Sequence, residues 1–236
     1  MPQVRKSQSV SVFERLRRDI LSGILPPGQK LVIDQLCVDN ASSLGAVREA
    51  LSRLASEGLT IVEPFRGYTV APISAQDLLD LTAARISIER LCMIESIANA
   101  DIAWESRLVA LEHRLARVPQ LADDNLVFNE KWAVLHAELH AALAEQCKNK
   151  WLLNFRSFLF DWSERYRRIA ALTEHHNRDI TREHADIISA AIRRDVETTC
   201  ALLESHIART AETIKKAFGW DDRYTVGAPK CRQSIG

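Results

Sequence analysis

Two histidines, His136 and His140, stand four residues apart in the run Leu135-His136-Ala137-Glu138-Leu139-His140. On a helix that spacing puts both imidazoles on one face, so both can turn toward the same ion. Imidazole suits zinc, nickel, copper or iron alike, so these residue types describe a transition-metal site without choosing the metal. The same spacing also serves surface or packing histidines, and the pair alone does not decide between the two. Hydrolytic chemistry would need an open coordination position and a general base beside it. Here the run reads H-A-E-L-H rather than H-E-x-x-H, and Glu138 points away from the face the histidines share. That argues against a metallohydrolase.

The elements that must position these side chains are helices. From Ser74 to Phe218 there is one proline, Pro119, and no glycine. The apolar pattern predicts helices near 74–100, 102–117, 125–147, 149–172, 177–193 and 195–217. Ser74 with Asp77 makes an N-cap for the first. Short linkers favour antiparallel neighbours in an all-helical bundle. Trp132, Trp151, Phe155, Phe158, Phe160, Trp162 and Tyr166 cluster across its middle helices, at spacings that suit core and dimer packing. His113, His175 and His176 read as exposed helix or linker residues.

Residues 1–73 follow a different pattern. Val12, Phe13, Leu16, Ile20 and Leu21 predict a helix over Val10–Ser22, ended by Gly23 and the turn Pro26-Pro27-Gly28. From Leu31 to Val70 come a short helix, a turn, a longer helix and two strand-like segments. Val47, Leu51 and Leu54 form an inward stripe, with Arg48, Glu49, Ser52 and Arg53 opposite it. Gly58 suits a helix C-cap, and Pro64-Phe65-Arg66-Gly67 a hairpin with a basic tip. Together these describe a winged helix-turn-helix, whose second helix enters the DNA major groove. Ser43, Leu44, Gly45 and Arg48 on that helix, with Arg66 and Gly67 on the wing, are the candidate DNA contacts. A surface salt bridge is the other reading of Arg48. The expected fold class is mainly α, with domains at 1–73 and 74–218 and a loose tail at 219–236.

Charge is balanced, with 31 basic and 31 acidic residues. The first 74 residues carry two more basic than acidic groups and the helical region three more acids than bases, so only the first suits a duplex. The five cysteines have no C-x-x-C spacing, and four fall in periodic helical segments, as expected of reduced, buried thiols. No apolar run approaches the roughly 20 residues that span a bilayer, and no signal-peptide core is present. The expectation is a soluble cytoplasmic protein.

The run Ile20–Val70, with ILSGILPPGQKL, VREALSRLASEGL and RGYTVAPIS, resembles the GntR family of bacterial transcription regulators. In that family the recognition turn usually carries an arginine where this chain has Leu44, and a proline where it has Ala46. Leucine offers an apolar contact, for instance to a thymine methyl, in place of guanine readout. The segments LTAARISIE (81–89), LHAELHAALAEQCKN (135–149), REHADIISAAI (182–192) and ESHI (204–207) resemble the FCD effector-binding domain of the FadR-type subgroup. Metal-binding members of that domain use an Asp and three histidines. The resemblance therefore implies His140, His184 and His206 as ligands, with His136 in the Asp position as a fourth ligand or a cavity-lining residue. It further implies zinc or nickel as cofactor, a small carboxylate effector, and a homodimer on double-stranded operator DNA, with repression the commoner outcome. Arg85 matches a family arginine that faces the cavity, where it could clamp a carboxylate. An i,i+4 pair with Glu89 is its other reading. A metal-free regulator of the same fold is the main alternative.

Overall fold

The computed structural model describes residues 7–64, 66–121, 129–171 and 178–220. The chain divides into two compact units, residues 1–73 with 160–169, and residues 74–159 with 170–236.

The first unit opens with α1 (Gln8–Leu21), whose N-cap Ser7 accepts a hydrogen bond from the Val10 amide. β1 (Lys30–Leu31), α2 (Ile33–Asp39), α3 (Leu44–Ser56), β2 (Thr60–Glu63) and β3 (Gly67–Val70) follow. Val47, Ala50, Leu51 and Leu54 of α3 are buried against Val12, Phe13, Leu16 and Ile20 of α1, so the apolar stripes of the two helices form one core. Beyond α3 the chain turns at Gly58, whose φ of +77° is the left-handed conformation a C-terminal stop requires. The strands form an antiparallel sheet in the order β1-β3-β2. Glu63 faces Gly67 across the hairpin, so Pro64 and Arg66 lie at the wing tip. Phe65, read from sequence as part of that tip, lies outside the described residues.

Residues 160–169 belong to α7 (Lys150–Ala171). Asp161 accepts from Arg17 at 2.8 Å, and the same guanidinium reaches Glu57 at 2.9 Å. Buried Arg165 donates to the carbonyl of Ala71. Sequence periodicity assigned the whole of 149–172 to the second domain, because it cannot see which distant groups a helix will pair with.

In the second unit α4 (Ala75–Ala98), α5 (Ile102–Leu115), α6 (Glu130–Leu143), the first part of α7, α8 (Ile180–Ile192) and α9 (Val196–Ala217) form an all-helical assembly. The Ser74 hydroxyl caps α4 by accepting from the Asp77 amide at 3.1 Å, as the sequence predicts. α4 packs on α9, α5 on α6 and α8, and α8 on α9. Trp104, Leu108, Leu139, Leu143, Ile187 and Leu203 lie in their shared core, where the Trp104 indole donates to the Ala142 carbonyl at 2.7 Å.

One expectation changes here. α6 ends at Leu143 rather than near 147, because the Gln146 amide donates to Ser96 and the Lys148 amide to Glu95. Those bonds to α4 replace helical ones, and they leave Cys147 outside the helix, just after the turn at 144–146. The predicted start of α6 at 125, with His175, His176, Cys231 and the tail from 221, lies outside the described residues. Finally, the aromatic cluster splits. Trp132, Phe160 and Tyr166 are buried, whereas Trp151, Phe155 and Phe158 are 62%, 54% and 42% exposed.

Candidate metal centre and nucleic-acid interface

Three helices bring four histidines together. α6 supplies His136 and His140, α8 supplies His184 and α9 supplies His206. All four are buried, and one ring nitrogen from each lies within 4.8 Å of the others. A tetrahedral ion with metal–nitrogen bonds of about 2.0–2.1 Å sets its ligand atoms about 3.4 Å apart. The observed spread is wider than that, so the donor atoms would draw together on binding an ion. His136 sits inside the cluster, its ring centroid 4.5 Å from that of His140 and 5.2 Å from that of His184. Trp132, one turn earlier on α6, stacks on His136 at 4.5 Å and 16°, which restricts the orientation of the ring. The donor chemistry fits a borderline transition ion.

The environment of His140 and His206 disfavours the charged imidazole, and ligation requires the neutral form. Burial, then the neighbouring His206, His184, Arg85 and Arg156, hold His140 well below the ordinary imidazole pKa. Burial also lowers the His206 pKa, against the hydrogen bond that His206 donates to Glu183, which raises it. Glu183 lies 2.8 Å from His206 Nδ1. A carboxylate oxygen only accepts, so this short contact favours the proton on Nδ1 over the competing approach of Arg178 at 3.2 Å, and would leave the Nε2 lone pair for an ion. Arg178 and Arg209 in turn hold Glu183, and Arg178 also donates to the His206 carbonyl at 2.9 Å. Burial alone would raise the Glu183 pKa, but the hydrogen bonds from Arg178 and His206 outweigh it and hold the carboxyl well below its usual range.

Beside the histidines lies a second buried cluster. Arg85 and Glu89 of α4 do form the i,i+4 pair, but loosely, at 3.6 Å. Glu89 is held more tightly by Arg156 of α7, at 2.8 Å, and Arg156 also donates to the backbone carbonyl of His140. All three side chains are buried, and the two guanidiniums share this carboxylate, so the three groups by themselves sum to a positive charge. Glu138 instead faces outward, 3.6 Å from Arg114, as the H-A-E-L-H spacing predicts.

On the first unit, Ser43 caps α3 by accepting from the Ala46 amide. Leu44, Gly45 and Arg48 are exposed on the same helix, and among the described residues Arg48 makes no ion pair. On the wing, Arg66 is 80% exposed and only 4.0 Å from Glu63, a weak contact. Gly67 opens β3 at φ +92°, a conformation that disfavours any side chain.

Sequence reading missed Glu183, Arg156 and Trp132. Two of them had a local signal, since Glu183 directly precedes His184 and Trp132 precedes His136 by one helical turn. Arg156 had none.

A winged helix-turn-helix joined in one chain to an all-helical unit defines a class, the two-domain bacterial transcription regulators. Comparison with known proteins makes this specific. Residues 8–70 match the family described as bacterial regulatory proteins, gntR family, and residues 80–209 match the FCD domain. An uncharacterised HTH-type transcriptional regulator, BphR of Paraburkholderia xenovorans (strain LB400), is 36% identical over 211 residues, 89% of this chain and 85% of the relative. The HTH-type transcriptional repressor GlaR of Escherichia coli (strain K12) is 30% identical over 214 residues, covering 89% and 97%. The solved structure of E. coli McbR/YncC shares the fold, with a TM-score of 0.74 at 18% identity over 90% of this chain and 99% of that one. The chain belongs to the GntR family and carries an FCD domain: it is a DNA-binding transcription regulator, not an enzyme.

Proposed function

We propose that this regulator, a FadR-type member of its family, senses a small organic acid at a transition metal held by His136, His140, His184 and His206. The observation that carries the reading is four buried imidazoles from three helices with donor atoms within 4.8 Å. When bound, a zinc or nickel ion would supply a Lewis acid able to take a carboxylate oxygen. Arg85, buried and close enough to His140 to act on it electrostatically, would take a second carboxylate oxygen. The excess of buried positive charge favours an anion over a neutral ligand. That same excess also supports the second reading, in which the acid is bound without a metal.

His206 works as a ligand only while Glu183 fixes its tautomer. Glu183→Gln is therefore expected to weaken metal binding by about 10–100-fold. Competition against a chromophoric chelator reads that change, and unchanged affinity in the variant would remove Glu183 from the site.

DNA binding is assigned to Ser43, Leu44, Gly45 and Arg48 on α3, with Arg66 and Gly67 on the wing. Two copies would engage the half-sites of a near-palindromic operator in the cytoplasm. No described helix is long and apolar enough to cross a membrane. Trp151, Phe155 and Phe158 recur at helical spacing along α7 and are exposed, which supports a homodimer contact there. Replacing Phe155 by glutamate should give a monomer by light scattering and weaken operator binding on the order of a hundredfold, as the second half-site no longer binds as part of one molecule. A variant that stays dimeric would move the interface elsewhere.

The acid changes DNA affinity only as far as it binds the DNA-competent and DNA-released states unequally. Release, and hence repression without ligand, is the direction favoured by the relative named a repressor. The test is binding to DNA upstream of the gene and its neighbours, over a salt series with unrelated competitor DNA. Tight, competitor-resistant binding supports the reading; equal, salt-sensitive binding to all sequences would remove specific operator recognition.

A further inference from the structure

Every other large apolar side chain of α3 is buried: Val47, Leu51 and Leu54 are completely enclosed. Leu44, the first residue of the helix, is 46% exposed. A lone exposed leucine is ordinary on a protein surface, so it is the place of Leu44, at the start of the second helix of the helix-turn-helix, that gives it meaning. Its surroundings are low. Gly45 follows, and a Cβ built there would meet nothing within 4 Å. Ala46 comes next, and Ser43 keeps its hydroxyl turned to the Ala46 amide. The first turn of α3 therefore presents one protruding side chain, and it is apolar. Arg48, one turn on, is the nearest exposed cation on the helix.

In a helix-turn-helix the N-terminal residues of the second helix are those that meet base edges. Among the groups lining the major groove, the C5-methyl of thymine is the apolar one, while guanine offers only acceptors. We infer that Leu44 is a specificity residue that reads a thymine through its methyl group, with Arg48 and Ser43 serving the adjacent backbone. Each operator half-site then carries a thymine opposite the start of α3. Guanine is disfavoured there, because its O6 and N7 would be covered without a donor. This inference rests on the regulator reading of the first unit and adds the base that it recognises.

The test begins with selection of bound sequences from a pool of random duplexes by the full-length protein. In the selected operator each thymine is then replaced singly by uracil, which removes the methyl and nothing else. One thymine per half-site should respond, with binding weakened about fourfold, the value of one buried methyl-sized group at about 0.8 kcal/mol. In Leu44→Ala the same replacement should cost less than twofold, and Leu44→Arg should select guanine at that position. Leu44 is on the surface, and the uracil series needs no variant at all. A selected operator in which no thymine distinguishes the wild type from Leu44→Ala overturns the assignment while leaving the regulator intact. If no sequence is enriched, the regulator reading fails and the assignment goes with it.

Discussion

His140→Ala should weaken metal binding on the order of a hundredfold. The His140 ring lies 4.5, 5.4 and 5.3 Å from the rings of His136, His184 and His206, so no other member of the cluster is nearer to all the rest. Structural zinc sites bind with an apparent energy of about 10–16 kcal/mol. Shared over four ligands, one imidazole accounts for about 3 kcal/mol, or on the order of a hundredfold in affinity. Wild-type protein purified without a nickel column should contain about one divalent ion per chain by elemental analysis, and the variant almost none. A thermal scan supplies a second readout. Zinc at a thousand times its Kd would stabilise the wild type by about 4 kcal/mol. At this chain length that corresponds to a rise of roughly 10 °C. The variant, a hundredfold weaker, should show only about a third of that rise at the same zinc concentration, and comparing each protein with and without metal separates ligation from the packing lost with the ring. Equal metal content in both proteins would sink the four-histidine site. A metal-free wild type whose melting zinc and nickel leave unchanged would favour the reading in which Arg85 and its neighbours bind the acid alone.

The second large effect is on stability. Arg156→Ala removes the closest partner of a carboxylate that is 1% exposed, leaving Glu89 only the looser contact with Arg85. It also strips the His140 carbonyl of a donor. Deleting one partner of a buried ion pair costs about 3–5 kcal/mol, because the remaining charge stays out of water. In a chain of this size the melting temperature should fall by roughly 10 °C. Adding Glu89→Gln to Arg156→Ala should recover part of the loss, since the stranded charge is then gone; a double-mutant cycle in denaturant measures that coupling. Two losses that simply add would mean that the pair is not coupled. Arg182→Ala is the control, because its pair with Asp186 is exposed at 3.9 Å, and no measurable change is expected.

Much of the molecule was legible from local pattern. The Val47–Leu51–Leu54 stripe, the Ser74 cap and the glycine stop at Gly58 each depend on neighbours within a turn or two. Local energetics decide such features, so composition and spacing reveal them. The H-x-x-x-H pair on α6 is legible for the same reason: one helix fixes the relation of its two rings. Bringing His184 and His206 to that pair is a matter of how α8 and α9 pack on the rest, and spacing alone did not contain it. Resemblance to the FCD domain pointed to those two positions.

What only the tertiary structure decided is which charged and aromatic groups meet. Glu89 and Arg156 are 67 residues apart, and Glu183 and His206 are 23 apart, so neither pair leaves any periodic trace. On α7 the aromatic residues look alike in sequence, yet Phe160 and Tyr166 are buried while Trp151 and Phe155 face outward. Residues 160–169 group with the winged helix because Asp161 and Arg165 find partners at Arg17 and Ala71. A helix carries its own period, but the side of it that is buried is chosen by the surfaces packed against it. Those surfaces come from distant parts of the chain, and the same distant contacts set the charge around the histidines.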